Sequence, residues 1–158
     1  MQTQTPIKRS RQLAPLSREH HQGLLFVWKL EQGLRNNTPV EVLRDFCNWY
    51  WKQHINPHFG QEEFILLRHL PSDHKLALQL KDEHDDIREM ILSIDIDPDK
   101  ETVKRLADFL EKHIRFEERE LFNHFENILT TEQLDSIYRQ LEERPMCSIE
   151  WSNEFWSQ

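Results

Sequence analysis

The chain has 158 residues, of which 20 are basic and 28 acidic, so its formal net charge is −8. That length favours a single domain, and the negative charge argues against a protein that binds nucleic acid by neutralising phosphates. The three glycines form no glycine-rich phosphate loop, and no apolar run approaches the ~20 residues of a membrane-spanning helix.

An N-terminal arm and a first helix open the chain. Residues 1–15 are polar and basic, lack the apolar stretch of a secretory signal, and are expected to form a flexible arm. Helical periodicity begins near Ser17, a good N-cap residue, and continues to about Arg35. Because Cys47 and Cys147 lie far apart and form no C-x-x-C motif, we expect inert thiols in a reducing, cytoplasmic compartment.

The second predicted helix is long and aromatic. Thr38 is its expected N-cap and Pro39 its first residue, where the missing N–H of proline costs nothing. The helix is expected to run to about His69. Pro57 lies within it and removes one backbone hydrogen bond, so we expect a kink or a break there.

Two more long helices follow. The third is expected to be capped by Ser72 and to run to about Ile94, with apolar residues at alternating three- and four-residue spacing. The fourth is expected to open at Asp97-Pro98, a cap followed by proline, and to end near Leu129. Four long amphipathic helices with short connections predict an all-α, up-down four-helix bundle.

A short fifth helix and an aromatic tail complete the chain. Thr130 and Gln133 have the spacing of a capping box for a helix that ends near Arg144. We therefore place the bundle domain at residues 16–144 and a C-terminal tail at 145–158. The tail has no helical period, and three of its residues are expected to pack on the bundle or on a partner: Trp151, Phe155 and Trp156.

Two segments that lie 55 residues apart share the pattern His-apolar-x-x-Glu-Glu. They place His58 four residues before Glu62, and His113 four residues before Glu117. In a helix, residues at i and i+4 share a face, about 5–6 Å apart at Cβ. Both pairs continue apolar stripes and are predicted to point into the core, where unpaired charges are costly. The pattern therefore predicts bound cations inside the bundle.

Two further histidines follow a glutamate near the start of a helix, in Glu19-His20 and Glu83-His84. His84 replaces an apolar residue in the middle of its stripe. His20 aligns with the core-facing residues of the first helix, whereas the neighbouring His21 points about 100° away. We therefore predict His84 and His20 as ligands, with His21 as the alternative to His20.

The predicted ligand set contains four histidines and two glutamates on four helices. Imidazole and carboxylate groups suit iron, manganese or zinc, and six ligands exceed the four of a closed zinc site. A dinuclear site with two bridging carboxylates and two histidines per metal fits this set better. The predicted metal ligands are His20, His58, Glu62, His84, His113 and Glu117.

These residues resemble the hemerythrin-like, or HHE cation-binding, family over roughly residues 16–130. The family motif is a histidine on the first helix, H-x-x-x-E on the second and fourth, and E-H-x-x-apolar on the third. Its counterparts here are His20, His58/Glu62, His113/Glu117 and Glu83-His84 with Ile87. The resemblance implies a non-haem centre of two iron ions bridged by the two carboxylates, with zinc or manganese as alternative occupants.

The resemblance also narrows the expected chemistry. Oxygen-carrying members have a second histidine on the third helix, four residues from the first, and the positions here are Leu80 and Arg88. This departure favours nitric oxide or redox chemistry over reversible oxygen carriage. Members that repair iron centres have an N-terminal cysteine-bearing domain, which residues 1–15 do not supply.

Three functions remain open from the sequence. The first is a binding module that senses or detoxifies O2 or NO at an open iron position. The second is a di-iron redox enzyme that turns over peroxide or NO. The third is an iron store or donor for iron-centre repair, with the aromatic tail binding a protein partner. The sequence also leaves homodimer formation as an alternative.

The remaining chemistry-bearing side chains are expected to lie outside the ligand set. His54, His69 and His124 are predicted at the surface or at the bundle end. Glu63 and Glu118, each next to a predicted ligand, are expected to face solvent or to contact the ligand histidines.

Overall fold

The protein is a bundle of helices. The computed structural model describes residues 8–143 and 149–157. The α-helices of this described part are α1 Ala14–Arg35, α2 Val40–Tyr50, α3 Asn56–Gln61, α4 Lys75–Ile96, α5 Lys100–Phe116, α6 Phe122–Ile128 and α7 Thr131–Glu142. Three π-helical turns join some of them: Trp51–Ile55, Glu62–Leu66 and Glu117–Leu121.

Four continuous helical paths form the bundle, as predicted. They are α1, then α2 with α3, then α4, and finally α5 with α6. Neighbouring paths run antiparallel: near one end of α1, His20 lies beside Glu117, and near the other end Glu31 lies 3.8 Å from Lys104. The short helix α7 follows, and its N-terminal capping box at Thr130 is confirmed.

The N-terminal residues are more ordered than expected. α1 begins at Ala14 rather than at Ser17, which lies inside the helix and does not cap it. Leu13 and Leu16 are fully buried, so apolar burial extends the helix toward the N-terminus. Arg9 forms ion pairs with the bundle, so residues 8–13 lie against it instead of forming a free arm. Residues 14 and 15 of the predicted arm belong to α1, and residues 1–7 lie outside the described residues.

The starts of the next three long helices differ from the prediction by one or two residues. α2 begins at Val40, after Pro39. The N-cap of α4 is His74, whose Nδ1 accepts the Leu76 N–H, because a turn from Pro71 to His74 delays the helix.

The start of α5 also differs from the prediction. Asp99 rather than Asp97 is its N-cap, and the Asp99 carboxylate accepts the Thr102 N–H. Pro98 disfavours helical backbone at Asp97, which therefore ends α4 and is not free to open α5.

The predicted break at Pro57 takes the form of a wide turn. The α-helical path is interrupted by the π-helical turn Trp51–Ile55, and Pro57 lies in the first turn of α3. Proline is tolerated at that position because the N–H it lacks would have no partner within the helix. The second path therefore stays helical while its direction and register change.

The described part of the tail packs on its own chain. Phe155 is 2% exposed, and its ring contacts Phe46 edge-on. Trp151 also contacts Phe46, and Lys29 lies over the Trp156 ring. The aromatic groups considered for partner binding therefore complete the core at the end of α1 and α2. Cys147 lies outside the described residues.

None of the helices described here combines the length and apolar character needed to cross a bilayer.

Candidate metal centre

The six predicted ligand residues converge in the interior of the bundle. Each of the four helical paths contributes at least one of them, and their side chains are almost wholly removed from solvent. Their exposed fractions are His20 5%, His58 7%, Glu62 0%, His84 0%, His113 2% and Glu117 0%.

The backbone has the same feature at both glutamates. Glu62 and Glu117 each begin a π-helical turn, one helical turn after His58 and His113 respectively. A π-helical turn widens the helix locally, and such turns are frequent at functional sites. The two segments that share the His-apolar-x-x-Glu-Glu pattern therefore also share a backbone conformation.

Two clusters of ligand atoms form, and they share both carboxylates. His20 and His58 form one cluster with Glu62 and Glu117, which we call the first half-site. In the second half-site, His84 and His113 join the same two glutamates. All ligand atoms within a cluster lie within 4.8 Å of one another. Sharing of this kind is what two bridging carboxylates require.

The Glu117 carboxylate divides its oxygens between the half-sites. Its Oε2 lies 2.7 Å from His20 Nε2 and 3.7 Å from His58 Nε2. Its Oε1 lies 2.5 Å from His113 Nε2 and 3.5 Å from His84 Nε2. The two oxygens of Glu117 therefore face different histidine pairs.

The site has buried polar atoms whose hydrogen-bonding capacity is unmet. Both oxygens of Glu62, Oε1 of Glu117 and Nε2 of His84 and His113 have no well-aligned hydrogen-bond partner in the part of the chain described. These atoms lie close to one another without forming well-aligned hydrogen bonds, and a bound cation would give each of them a partner. Nitrogen and carboxylate ligands of this kind match iron, manganese or zinc, so the residues present fit bound cations.

The electrostatics also favour positive charge. Burial works to lower the pKa of His20, but the charge of Glu117 and hydrogen bonds with Glu117 and Glu118 raise it to about 9. Burial also works to lower the pKa of His84, but the nearby carboxylates of Glu117, Glu62 and Glu63 raise it to about 10. The pKa values of His58 and His113 are raised too, because nearby carboxylates outweigh their burial.

The pKa of Glu117 shifts in the opposite direction to the pKa values of the histidines. Burial works to raise its pKa, but the charge of His113 and the surrounding histidines hold that pKa well below the usual value. The centre is therefore a pocket of ionised carboxylate that attracts cations.

Each ligand histidine is held by a second carboxylate at its other ring nitrogen. The Nδ1–O distances are 2.5–2.8 Å, and the pairs are His20–Glu118, His58–Glu19, His84–Glu63 and His113–Glu83. Such contacts fix the tautomer that directs Nε2 to a metal. Every one of these glutamates is the sequence neighbour of a ligand. The Glu-His and Glu-Glu dipeptides are therefore the sequence feature that marks both the ligands and the glutamates that hold the ligand histidines.

Two arginines complete this outer layer. Arg9 lies 2.9 Å from Glu118, and Arg88 lies 2.7 Å from Glu63. Sequence reasoning assigned no role to Arg9, because it lies in the segment predicted to be a flexible arm. Arg88 is one of the two positions four residues from His84, Leu80 being the other, and it contacts the glutamate that holds His84.

Other predicted residues lie apart from the centre. His21 is exposed and belongs to neither cluster, so the structure places His20 in the interior instead. His54 contacts the rings of Trp49 and Tyr50, and partial burial lowers its pKa. His124 lies beside the ring of His74.

Two further side chains also lie outside the clusters. His69 belongs to neither of them, and its partial burial lowers its pKa. Cys47 is a buried free thiol whose pKa is raised by burial, as expected of an inert cysteine.

A large cavity borders the first half-site. Its volume is about 810 Å³, and its walls include His20, His58, His113 and Glu117. Residues of α1, α5 and α7 and of the second path between Tyr50 and Gln61 form the remaining walls. The buried centre therefore has a route to molecules outside it.

The comparisons with known proteins agree with this geometry. A family model described as the hemerythrin HHE cation binding domain matches residues 11–125. Neither the search of curated proteins nor the search of solved structures gave a match. The matched range contains all six of the clustered residues.

Proposed function

Because the chain belongs to the hemerythrin HHE cation-binding domain family, we propose that its clustered residues hold two iron ions. We propose further that this centre binds O2 or NO, as a sensor or a detoxifying module. The observation that carries the proposal is the sharing of Glu62 and Glu117 between two clusters. Iron bound by histidines and carboxylates can keep open positions for an external ligand.

The charges around the centre support two divalent ions. Six carboxylates either belong to the clusters or contact a ligand histidine, whereas two guanidinium groups touch those carboxylates. The two arginines are also shared with Glu126 and Asp85 farther out. Metal ligation requires the four histidines in their neutral form, and in that form at least four negative charges are left over, which two divalent cations would balance.

The chain's own residues prepare the site in advance. Glu118, Glu19, Glu63 and Glu83 hold the four imidazoles so that their Nε2 atoms face the centre, which makes these nitrogens better metal ligands. Buried carboxylates stabilise the higher charge of an oxidised ion and so lower its potential. When bound, iron would supply the redox-active centre that O2 or NO chemistry needs.

Metal analysis of anaerobically purified protein tests the proposal most directly. We expect two irons per chain and a new visible absorption band when O2, NO or azide is added. A chain that binds no iron, or one that binds iron without any response to these ligands, would contradict it. Zinc or manganese at the same stoichiometry would keep the ligand set and overturn the assignment of iron.

An enzyme is the second candidate, and the cavity is the observation that favours it. A centre that only carries a diatomic molecule needs little space, whereas about 810 Å³ borders the ligands here. Turnover of peroxide or NO by the iron-loaded protein, measured with excess reductant, would support this function. Stoichiometric binding without turnover would favour the binding module.

Iron storage or donation fits the site least well. The ligand side chains are at most 7% exposed, and each histidine is held by a second group. Release of iron to a partner would require this network to open. Slow loss of iron to a chelator at neutral pH is therefore expected, and rapid loss would favour a donor.

A further inference from the structure

The cavity beside the first half-site is far larger than a diatomic ligand needs. One water molecule has a share of about 30 Å³ in the liquid, and the cavity has about 810 Å³. Pockets that bind organic molecules in proteins span about 300–1,000 Å³. The size therefore matches an organic ligand, and a diatomic molecule would leave most of the space to water.

The walls have the character of a site for an apolar molecule. Several are buried apolar side chains from different helices: Leu16, Ile55, Phe59, Leu110, Ile114 and Leu141. Water held against such walls is replaced favourably by an apolar group, at about 25 cal/mol per Å² of apolar surface buried. These residues give the cavity an affinity that does not depend on charge.

Away from the metal centre, the charges in the walls disfavour an anionic organic group. Apart from the clustered metal ligands and the histidine His54, the charged wall residues are Arg18, Glu19 and Glu142. Two acidic groups against one basic group leave a negative balance. A phosphate or sulfonate held in this part of the cavity would find one basic side chain, that of Arg18, and burying an unpaired charge is costly.

A hydrogen-bonding group on the ligand would have partners in the walls. Gln61 lines the cavity and is 7% exposed, and its buried Oε1 has no hydrogen-bond donor in the described residues. The phenolic side chains of Tyr50 and Tyr138 also line the cavity. Buried polar groups nearly always have partners in native proteins, so the unpaired amide oxygen of Gln61 is available to a ligand donor when this wall side chain turns toward the cavity.

We propose that this cavity binds an uncharged organic molecule with an apolar body and a hydroxyl or similar donor group. One end of the bound molecule lies against the first half-site, where His20 and His58 form part of the wall. This inference depends on the proposed metal centre only for the contact between that end of the molecule and the first half-site. The binding itself follows from the volume, the apolar walls and the unpaired Gln61.

A pair of probes that differ in charge tests the proposed ligand class. We choose 3-phenylpropan-1-ol as the neutral probe and 3-phenylpropane-1-sulfonate as the anionic one, because a sulfonate is a poor metal ligand. Titration calorimetry on the metal-loaded chain is expected to give a dissociation constant below about 1 mM for the alcohol. The sulfonate is expected to bind at least about tenfold more weakly, since its charge would be buried without a partner.

Variants of α7 locate the binding site. Leu141→Trp places a larger side chain in the cavity wall and is expected to weaken alcohol binding at least about tenfold. Leu134→Trp is the matched control, because Leu134 is a buried leucine two turns earlier on the same helix and outside the cavity wall. If the buried variants fail to fold, Gln22→Trp on the exposed side of α1 narrows the same cavity.

The outcomes separate this inference from the metal proposal. Alcohol binding by both metal-loaded and metal-free chain, lost in Leu141→Trp or Gln22→Trp, supports the cavity site whatever metal is found. A shift of the azide absorption band on adding the alcohol supports contact with the centre. Two irons per chain without alcohol binding would overturn the cavity inference alone. Equal or tighter binding of the sulfonate would overturn the ligand class.

Discussion

The two half-sites of the centre have nearly identical surroundings and different access. His20 and His84 occupy equivalent places: Glu118 and Phe122 flank the first, and Glu63 and Phe59 flank the second. Arginines extend both arrangements, with Arg9 over the Phe122 ring and Arg88 over the Phe59 ring. The two glutamates hold equivalent positions of the repeated sequence pattern, 55 residues apart, whereas the two phenylalanines come from different positions of it.

The cavity distinguishes the two half-sites. Both histidines of the first half-site line it, whereas only His113 does so in the second. His84 is 0% exposed, and its ring stacks on Phe59 with centroids 3.6 Å apart. This difference shows that two half-sites with similar ligands can differ in access. The cavity is bordered by both histidines of the first half-site, whereas in the second His84 is covered by packing and His113 alone reaches the cavity.

Removing a shared carboxylate should abolish both half-sites together. Glu117→Ala is expected to lose both metals, and with them the stabilisation that a ligand gives at a thousand times its dissociation constant, about 4 kcal/mol. Metal analysis and thermal unfolding measure the two effects. Glu120→Ala is the control, since Glu120 is exposed on the same π-helical turn. If Glu117→Ala still holds two metals, Glu117 is not a ligand.

Removing one histidine should affect one half-site more than the other. His58→Ala and His113→Ala are each expected to reduce the metal content from two ions toward one. Loss of His58 should also abolish the response to added azide, because the first half-site borders the cavity. His21→Ala, beside His20 and exposed, should behave as the unaltered protein. Equal azide responses in the two ligand variants would contradict the difference in access.

The two arginines should have smaller and separate effects. Arg9→Ala removes the partner that fixes Glu118 near His20, and Arg88→Ala does the same for Glu63 near His84. Loss of such outer contacts typically costs about 10–100-fold in metal affinity. Competition with a chelator measures this, and lysine at either position should restore part of the affinity. Arg11→Ala, at an exposed arginine, is the control.

The smallest expected effect concerns the helix that holds His58. Nothing lies within 4 Å of a Cβ added at Gly60, so Gly60→Ala should stabilise the chain by up to about 1 kcal/mol through helix propensity. The same change at Gly33 would place the Cβ 2.7 Å from Leu43 and Phe155, and should destabilise the chain. Chemical denaturation measures both. A destabilised Gly60→Ala would mean that the π-helical turns beside it need glycine's freedom.

Local sequence signals were sufficient for the fold class and for much of the ligand pattern. Amphipathic periodicity predicted the helices, because each of them must bury one face. The i, i+4 spacing of His58 with Glu62 and of His113 with Glu117 places each pair on one helical face whatever the tertiary context. Helix starts were less certain, since Asp97 and Asp99 are both good N-caps and only backbone geometry chooses between them.

Tertiary structure decided the rest, because it depends on distances between helices that no local pattern encodes. Packing brought Glu19 to His58 and Glu83 to His113, although each glutamate precedes a different ligand in the sequence. Residues 8–13 were assigned to an arm on composition, yet a buried Leu13 and an ion-paired Arg9 hold them against the bundle. The cavity, too, is the space that several helices leave between them, and it alone distinguishes the two half-sites in their access.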